Sequence, residues 1–208
     1  MKALLIGLGT LGLLYAGVIL WFRLNEDRLV FFPERGPVGV PAPELGLETH
    51  RVSITSQDGV RLLAWAIAPP QDSGRWALVL HGNAGNLATP GRPAHARQFH
   101  MLGLGVLAID YRGYGESDGS PSEEGLYADA RAAYKYLRHS LGVPVERIVI
   151  YGHSLGSAVA IELASEVPAA GLMIEGAFTS VPDLGAELYP YLPIHYLARR
   201  RFPSLQRI

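Results

Sequence analysis

Residues 146–166 read Glu-Arg-Ile-Val-Ile-Tyr-Gly-His-Ser-Leu-Gly-Ser-Ala-Val-Ala-Ile-Glu-Leu-Ala-Ser-Glu. Ile148, Val149 and Ile150 form a continuous apolar run of strand length and predict a buried strand. Gly152-His153-Ser154-Leu155-Gly156 follows, and then a stretch rich in small residues that predicts a helix to about residue 166. A Gly-x-Ser-x-Gly turn between strand and helix pushes the Ser154 hydroxyl out of the fold. Side chains at 152 and 156 would clash as the backbone reverses. Small residues at Ser157 and Ala158 let the helix lie close to the strand. The pentapeptide alone is weak evidence, because 24 glycines in 208 residues make chance matches common. The competing reading is an ordinary glycine-flanked turn, and the flanking strand and helix decide against it.

Further runs surround this one. Val52 and Ile54 alternate with polar Ser53 and Thr55, Asp58-Gly59 supplies a turn, and Val60–Ala68 returns, so an antiparallel hairpin opens the domain. Trp76–Leu80, Val106–Ile109, Ile148–Tyr151 and Leu172–Ile174 are uninterrupted apolar runs, the mark of parallel strands covered on both faces. Between them, residues 93–102, 122–141 and 154–166 predict helices. In the second, Leu126, Ala130, Ala133, Leu137 and Leu141 recur at helical spacing, and Gly142 and Pro144 end it. Residues from Pro69 to Gly74 read as a loop. The expectation is an α/β fold with a mostly parallel sheet.

Residues 3–22 carry no charge, and about 20 apolar residues match a bilayer core. Trp21 and Phe22 suit an interfacial belt, and Arg23 marks the exit. A cleaved signal peptide would end at a small-x-small site, whereas bulky Ile19–Phe22 end this segment. The segment is therefore read as a single-pass transmembrane anchor. Lys2 and the α-amine stand on one side, and Arg23, Arg28 and Arg35, diluted by Glu26 and Asp27, on the other, so charge counting favours neither orientation. Residues 23–46, with Pro33, Pro37, Pro41 and Pro43, read as a linker, and 47–208 as the α/β domain. Within the linker, Leu29–Phe32 are expected to pack on the domain or to touch the membrane surface.

Composition removes several function classes. A net charge of −1 leaves no general basic field for nucleic acid. The absence of cysteine removes disulfides, thiolate metal sites and a cysteine nucleophile. The loop after Leu80 reads His81-Gly82-Asn83-Ala84-Gly85-Asn86. Acyl transfer needs two backbone N–H donors for the oxyanion, and the expected pair is Asn83 and Leu155, the residue after the nucleophile. His81 precedes Ser154 in the chain and is read as structural. Tyr111–Ser117, after Asp110 at the next strand end, is read as a structural loop that could also line the pocket.

His-Gly-Asn-Ala-Gly-Asn after one strand, Asp110–Gly119 after the next and Tyr151–Ala164 around Ser154 together resemble the membrane-anchored α/β-hydrolase-domain proteins of the serine-aminopeptidase-like and depalmitoylase-like branch. The resemblance covers about residues 28–195, including Phe31-Phe32-Pro33 and Glu175–Ser180. It implies a serine hydrolase acting on an ester, thioester or amide, with Ser154 as nucleophile and with no cofactor or metal. The implied partners are an acyl-containing small molecule, lipid or peptide, and the membrane through the N-terminal helix.

A serine hydroxyl needs a base oriented by an acid, in the chain order Ser, Asp or Glu, His. In this fold the acid follows the seventh strand and the histidine the eighth, whereas Leu172–Ile174 is the sixth. The expectation is a chain recorded without its last two strands, roughly 60 or more residues. Downstream of Ser154 the only Asp is Asp183 and the only His is His195. Both fall in a lid-like segment, 176–208, where a helix-capping role for Asp183 and a lid-surface position for His195 compete with triad roles. The same segment carries Tyr189-Pro190-Tyr191, which suggests an apolar acyl site, and Arg199–Arg201, read as a solvated face. Leu172–Ile174 would then be an exposed apolar edge. The alternative to an enzyme is a catalytically inactive, membrane-tethered binding module of the same fold.

Overall fold

A computed structural model describes residues 1–40, 46–70 and 74–208. Pro41 and Pro43 of the expected linker and residues 71–73 of the expected loop lie outside the described residues. The chain opens with α1 (Lys2–Val30), a helix of 29 residues and about 43 Å. It is long and apolar enough to cross a membrane. The helix does not stop at Phe22. Residues 23–30 contain no Gly or Pro, so the segment expected as a linker begins as helix, and Pro33 then forces extended backbone on the residue before it.

The other elements follow in chain order: β1 (Phe32–Pro33), β2 (Thr49–Thr55), β3 (Arg61–Ile67), β4 (Trp76–Leu80), β5 (Ala84–Gly85), α2 (Arg92–Met101), β6 (Gly105–Ile109), α3 (Glu123–Lys135), β7 (Ile148–His153), α4 (Leu155–Glu166), β8 (Gly171–Glu175), α5 (Val181–Leu188) and α6 (Ile194–Leu197). The main sheet has six strands in the order β2-β3-β6-β4-β7-β8. The β2–β3 and β3–β6 pairings are antiparallel, and the remaining three are parallel. The expected opening hairpin and parallel remainder are both present. β1 and β5 make a separate two-stranded parallel ribbon, through which Phe32-Pro33 pairs with Ala84-Gly85.

Side chains alternate across the sheet and are buried on both faces. Leu78, Leu80, Leu107, Ile148 and Ile150 pack under α3 and α4 beside Leu126, Leu137 and Val159. Ala77, Val106 and Ala108 pack on the other face with Trp65 and α2's Phe99. Each fully buried Leu or Ile contributes about 1.5–3 kcal/mol, so β4, β6 and β7 are the rigid centre from which the loops at their carboxyl ends project. β8 differs: Leu172, Met173 and Ile174 are all exposed, as expected of an apolar sheet edge. A third apolar cluster, Phe22, Ile194, Leu197 and Ala198, packs α1 against α6.

Candidate active site

Ser154 stands between the end of β7 and the start of α4 with φ +53° and ψ −119°, in backbone space that side chains rarely occupy. Several contacts hold it there. Its N–H donates to the Glu175 carbonyl at 2.8 Å, and its carbonyl accepts from the N–H and hydroxyl of Ser157 at 2.8 and 2.5 Å. The two flanking glycines are required by close approach. A Cβ on Gly152 would strike the carbonyl of Gly156, and one on Gly156 would strike the carbonyls of Leu80 and His81. Residues 152–156 thus form a tight turn from β7 into α4, with the serine at the amino end of a 12-residue helix whose dipole favours negative charge.

The loop after β4 lies against this turn. A Cβ on Gly82 would be 3.1 Å from His153 Nδ1 and 3.4 Å from Ser154 Cβ. Carbonyl groups of the loop are occupied from outside. Asn83's carbonyl accepts from Phe32 N–H at 3.1 Å and Tyr114 Oη at 2.8 Å. The Arg92 guanidinium donates to the carbonyls of Gly82, Ala84 and Asn86, and burial lowers its pKa. Among the described residues the backbone N–H groups of Asn83 and Leu155 have no acceptor in the protein, and both residues border a cavity with Ser154. The sequence reading missed Arg92. Its signal was available, since a cation in the first turn of a helix opposes the helix dipole.

His81 is buried, with Nδ1 2.7 Å from its neighbour's carbonyl and Nε2 3.3 Å from Asp110 Oδ1. Burial pushes its pKa below the ordinary value. Asp110 also accepts the Leu87 N–H at 2.9 Å. Tyr111 and Tyr114 are fully buried and pack edge-on against His81. Arg112 binds Asp129 at 2.8 Å and Asp58 at 2.6 Å. None of residues 111–117 lines a cavity at Ser154, so this loop supports the site from below.

Asp183 and His195 approach one another, with Oδ1 and Nδ1 3.8 Å apart and both side chains about half exposed. They line a cavity with Arg201 and Pro203 that does not include Ser154. Ser180 caps α5 by accepting the Asp183 N–H at 3.1 Å, and the Asp183 carboxylate accepts hydroxyls from Ser180 at 2.6 Å and Thr179 at 2.7 Å. These bonds lower its pKa. The structure thus places Asp183 in a helix cap. No histidine hydrogen-bonds the Ser154 hydroxyl among the described residues.

Arg199 and Arg201 are exposed, as expected of a solvated face, but their backbone N–H groups and the half-buried Arg200 are tied to carboxylates. Glu26 is buried and accepts the N–H groups of Arg199 and Arg200 at 2.6 and 2.8 Å and Arg199 Nε at 3.0 Å. Asp27 pairs with Arg200 at 2.7 Å. Glu123 accepts the N–H groups of Arg201 and Phe202 at 2.6 and 2.7 Å.

Two cavities meet at Ser154. One, of about 300 Å³, runs between the loop after β4 and α2 and carries His81, Thr89, Arg92, His95 and His153. The other, of about 290 Å³, runs between α1 and the segment from Phe178 to Ala198; both are lined mainly by apolar side chains, Trp65, Val79, Leu87 and Ala108 among those of the first.

The family described as serine aminopeptidase S33 (Hydrolase_4) matches residues 75–207. An uncharacterised protein of Mycobacterium tuberculosis is 43% identical over 198 residues, covering 94% of this chain and 69% of that protein. The α/β-hydrolase domain-containing protein WAV2 of Arabidopsis thaliana is 36% identical, over 92% of this chain and 63% of its own. Among solved structures, the Pyrococcus furiosus esterase Pf2001 superposes with a TM-score of 0.63 and 27% identity, over 81% of this chain and 65% of the esterase. The chain therefore spans about two thirds of the length of these proteins. With its sheet order, its covered parallel strands and this match, the chain belongs to the serine aminopeptidase S33-like family of α/β-hydrolases.

Proposed function

We propose that this protein is a serine hydrolase that cleaves an ester, thioester or amide through an acyl-enzyme on Ser154, tethered to a membrane by α1. One observation carries the reading: an outward serine on a constrained turn shares a cavity with two N–H groups that have no protein acceptor. Ser154 Oγ attacks the carbonyl carbon, and its proton passes to a base. The carbonyl oxygen becomes an oxyanion held by the N–H groups of Asn83 and Leu155, aided by the amino end of α4. The leaving group departs with the proton. Water then releases the acyl group by the same steps.

The base and its acid are expected in the part of the relatives' length that this chain does not span. Asp183 and His195 are not proposed as the pair, because they line a separate cavity. That same geometry favours a second reading, a tethered binding module, in which Ser154 has no base at all. Hydrolysis of p-nitrophenyl butyrate by the full-length protein, with the segment expected to carry the base, and by its Ser154→Ala variant separates the two. The hydrolase reading expects a loss of about 10⁴-fold or more on substitution. Equal rates, or a folded protein with none, favour the binding module.

A further inference from the structure

The two N–H groups offered to the oxyanion are held unequally. Leu155 opens α4, so the helix fixes the direction of its N–H. Asn83 stands in a loop, and the direction of its N–H depends on one peptide unit, Gly82–Asn83. That unit is planar and trans, so the Gly82 carbonyl and the Asn83 N–H point opposite ways. Gly82 has no Cβ to restrict its rotation, and a Cβ there would crowd His153 Nδ1 at 3.1 Å. Whatever holds the Gly82 carbonyl therefore aims the Asn83 N–H.

Two groups hold it. His81 Nδ1 lies 2.7 Å from the Gly82 carbonyl, and Arg92 Nη2 donates to it at 3.1 Å. The same guanidinium donates to the carbonyls of Ala84 and Asn86. The intervening carbonyls are taken by residues just past α1: Asn83's accepts the Phe32 N–H and Gly85's the Glu34 N–H, both at 3.1 Å. All five carbonyls from 82 to 86 are thus committed, three of them to one side chain. Arg92 is itself anchored, its own N–H donating to the Thr89 carbonyl at 3.1 Å. A half-buried cation in the first turn of α2 opposes the helix dipole, and the bonds to the loop offset that cost. Only a planar fork can serve several fixed acceptors at once, which a lysine ammonium does not match.

We propose that Arg92 is a positioning residue: by holding the Gly82, Ala84 and Asn86 carbonyls it aims the Asn83 N–H at the oxyanion. The proposal rests on the hydrolase reading and extends it to a side chain that acts through the loop. Negative charge on the carbonyl oxygen develops in the transition state, so a misaimed donor lowers kcat and leaves substrate binding almost unchanged.

The test is steady-state hydrolysis of p-nitrophenyl butyrate by the full-length protein, with the segment expected to carry the base. Arg92→Ala should lower kcat about 10- to 100-fold and move KM by less than about twofold. Millimolar methylguanidinium should restore part of that loss. Arg92→Lys keeps the charge without the fork and should stay impaired. The comparison is Arg138→Ala, which also removes a guanidinium from a backbone carbonyl, that of Val143, away from Ser154, and should keep the wild-type kcat. A raised KM with unchanged kcat would overturn the proposal, as would full activity in Arg92→Lys or an equal kcat loss in Arg138→Ala. If Arg92→Ala fails to fold, kcat and KM of Arg92→Lys decide by the same criteria. An inactive wild type overturns the hydrolase reading and this role with it, whereas an active wild type with an unimpaired Arg92→Ala overturns the positioning role alone.

Discussion

The two sides of Ser154 are held together by different physics. Toward the sheet, the serine turn and the loop after β4 are fixed by close backbone approach and by hydrogen bonds from Phe32, Tyr114 and Arg92 to the loop carbonyls. Toward the N-terminal helix, the lid segment rests on one small apolar cluster and on the Glu26 carboxylate, which grips backbone N–H groups 173 and 174 residues away. A site that must place an oxyanion needs the first kind of support, because small displacements there cost rate. A surface that admits substrate can use the second, since elements that open are drawn from the less stable end of a structure.

This contrast can be broken by substitution. The largest effect is expected at Gly156. Gly156→Ala drives a methyl into two backbone carbonyls and should cost about 4 kcal/mol or more in thermal unfolding. Gly12→Ala, with nothing nearby, should stay within about 0.5 kcal/mol. Next comes Asp129, buried and bonded to Arg112 three times at 2.8–3.0 Å. Asp129→Ala removes three hydrogen bonds from Arg112, which keeps its pair with Asp58, and should cost about 2–3 kcal/mol. On the lid side, Glu26→Ala orphans two N–H groups and should cost about 1–3 kcal/mol. Hydrogen exchange should then accelerate over 181–201 and not over 148–166. Equal acceleration in both segments would erase the distinction between the two sides.

The smallest effect concerns acid. The hydrogen bond from Arg112 holds the Asp58 carboxyl at about 2, below its usual 3.8. A depressed carboxylate stabilises the fold above the unfolded value and loses that contribution as pH falls through the folded one. Stability should therefore drop between about pH 4 and pH 2, and Asp58→Asn should flatten that limb. Its half-exposed side chain keeps the effect small.

Local features were legible in the sequence, and distant pairings were not. Uninterrupted runs such as Trp76–Leu80 and Ile148–Ile150 announce strands covered on both faces, and Gly152 and Gly156 announce a reversal that only glycine permits. The hairpin at Asp58-Gly59 was equally readable. The extent of α1 was misjudged because Arg23–Arg28 looked like an exit from the membrane. In the fold, Glu26 and Asp27 have partners in Arg199 and Arg200, and nothing local reveals them. The solvated face of Arg199 and Arg201 was legible, whereas their carboxylate partners were not. Arg92's partners are carbonyl groups, which every sequence contains, so only its place in the first turn of α2 set it apart.

The account turns on Ser154 as a nucleophile. The direct measurement is reaction of the folded full-length protein with a fluorophosphonate, followed by peptide mass mapping. The account predicts a single phosphonate adduct on Ser154 in wild type and none in Ser154→Ala. A wild-type protein that stays unlabelled, or an adduct carried equally by both, would contradict it.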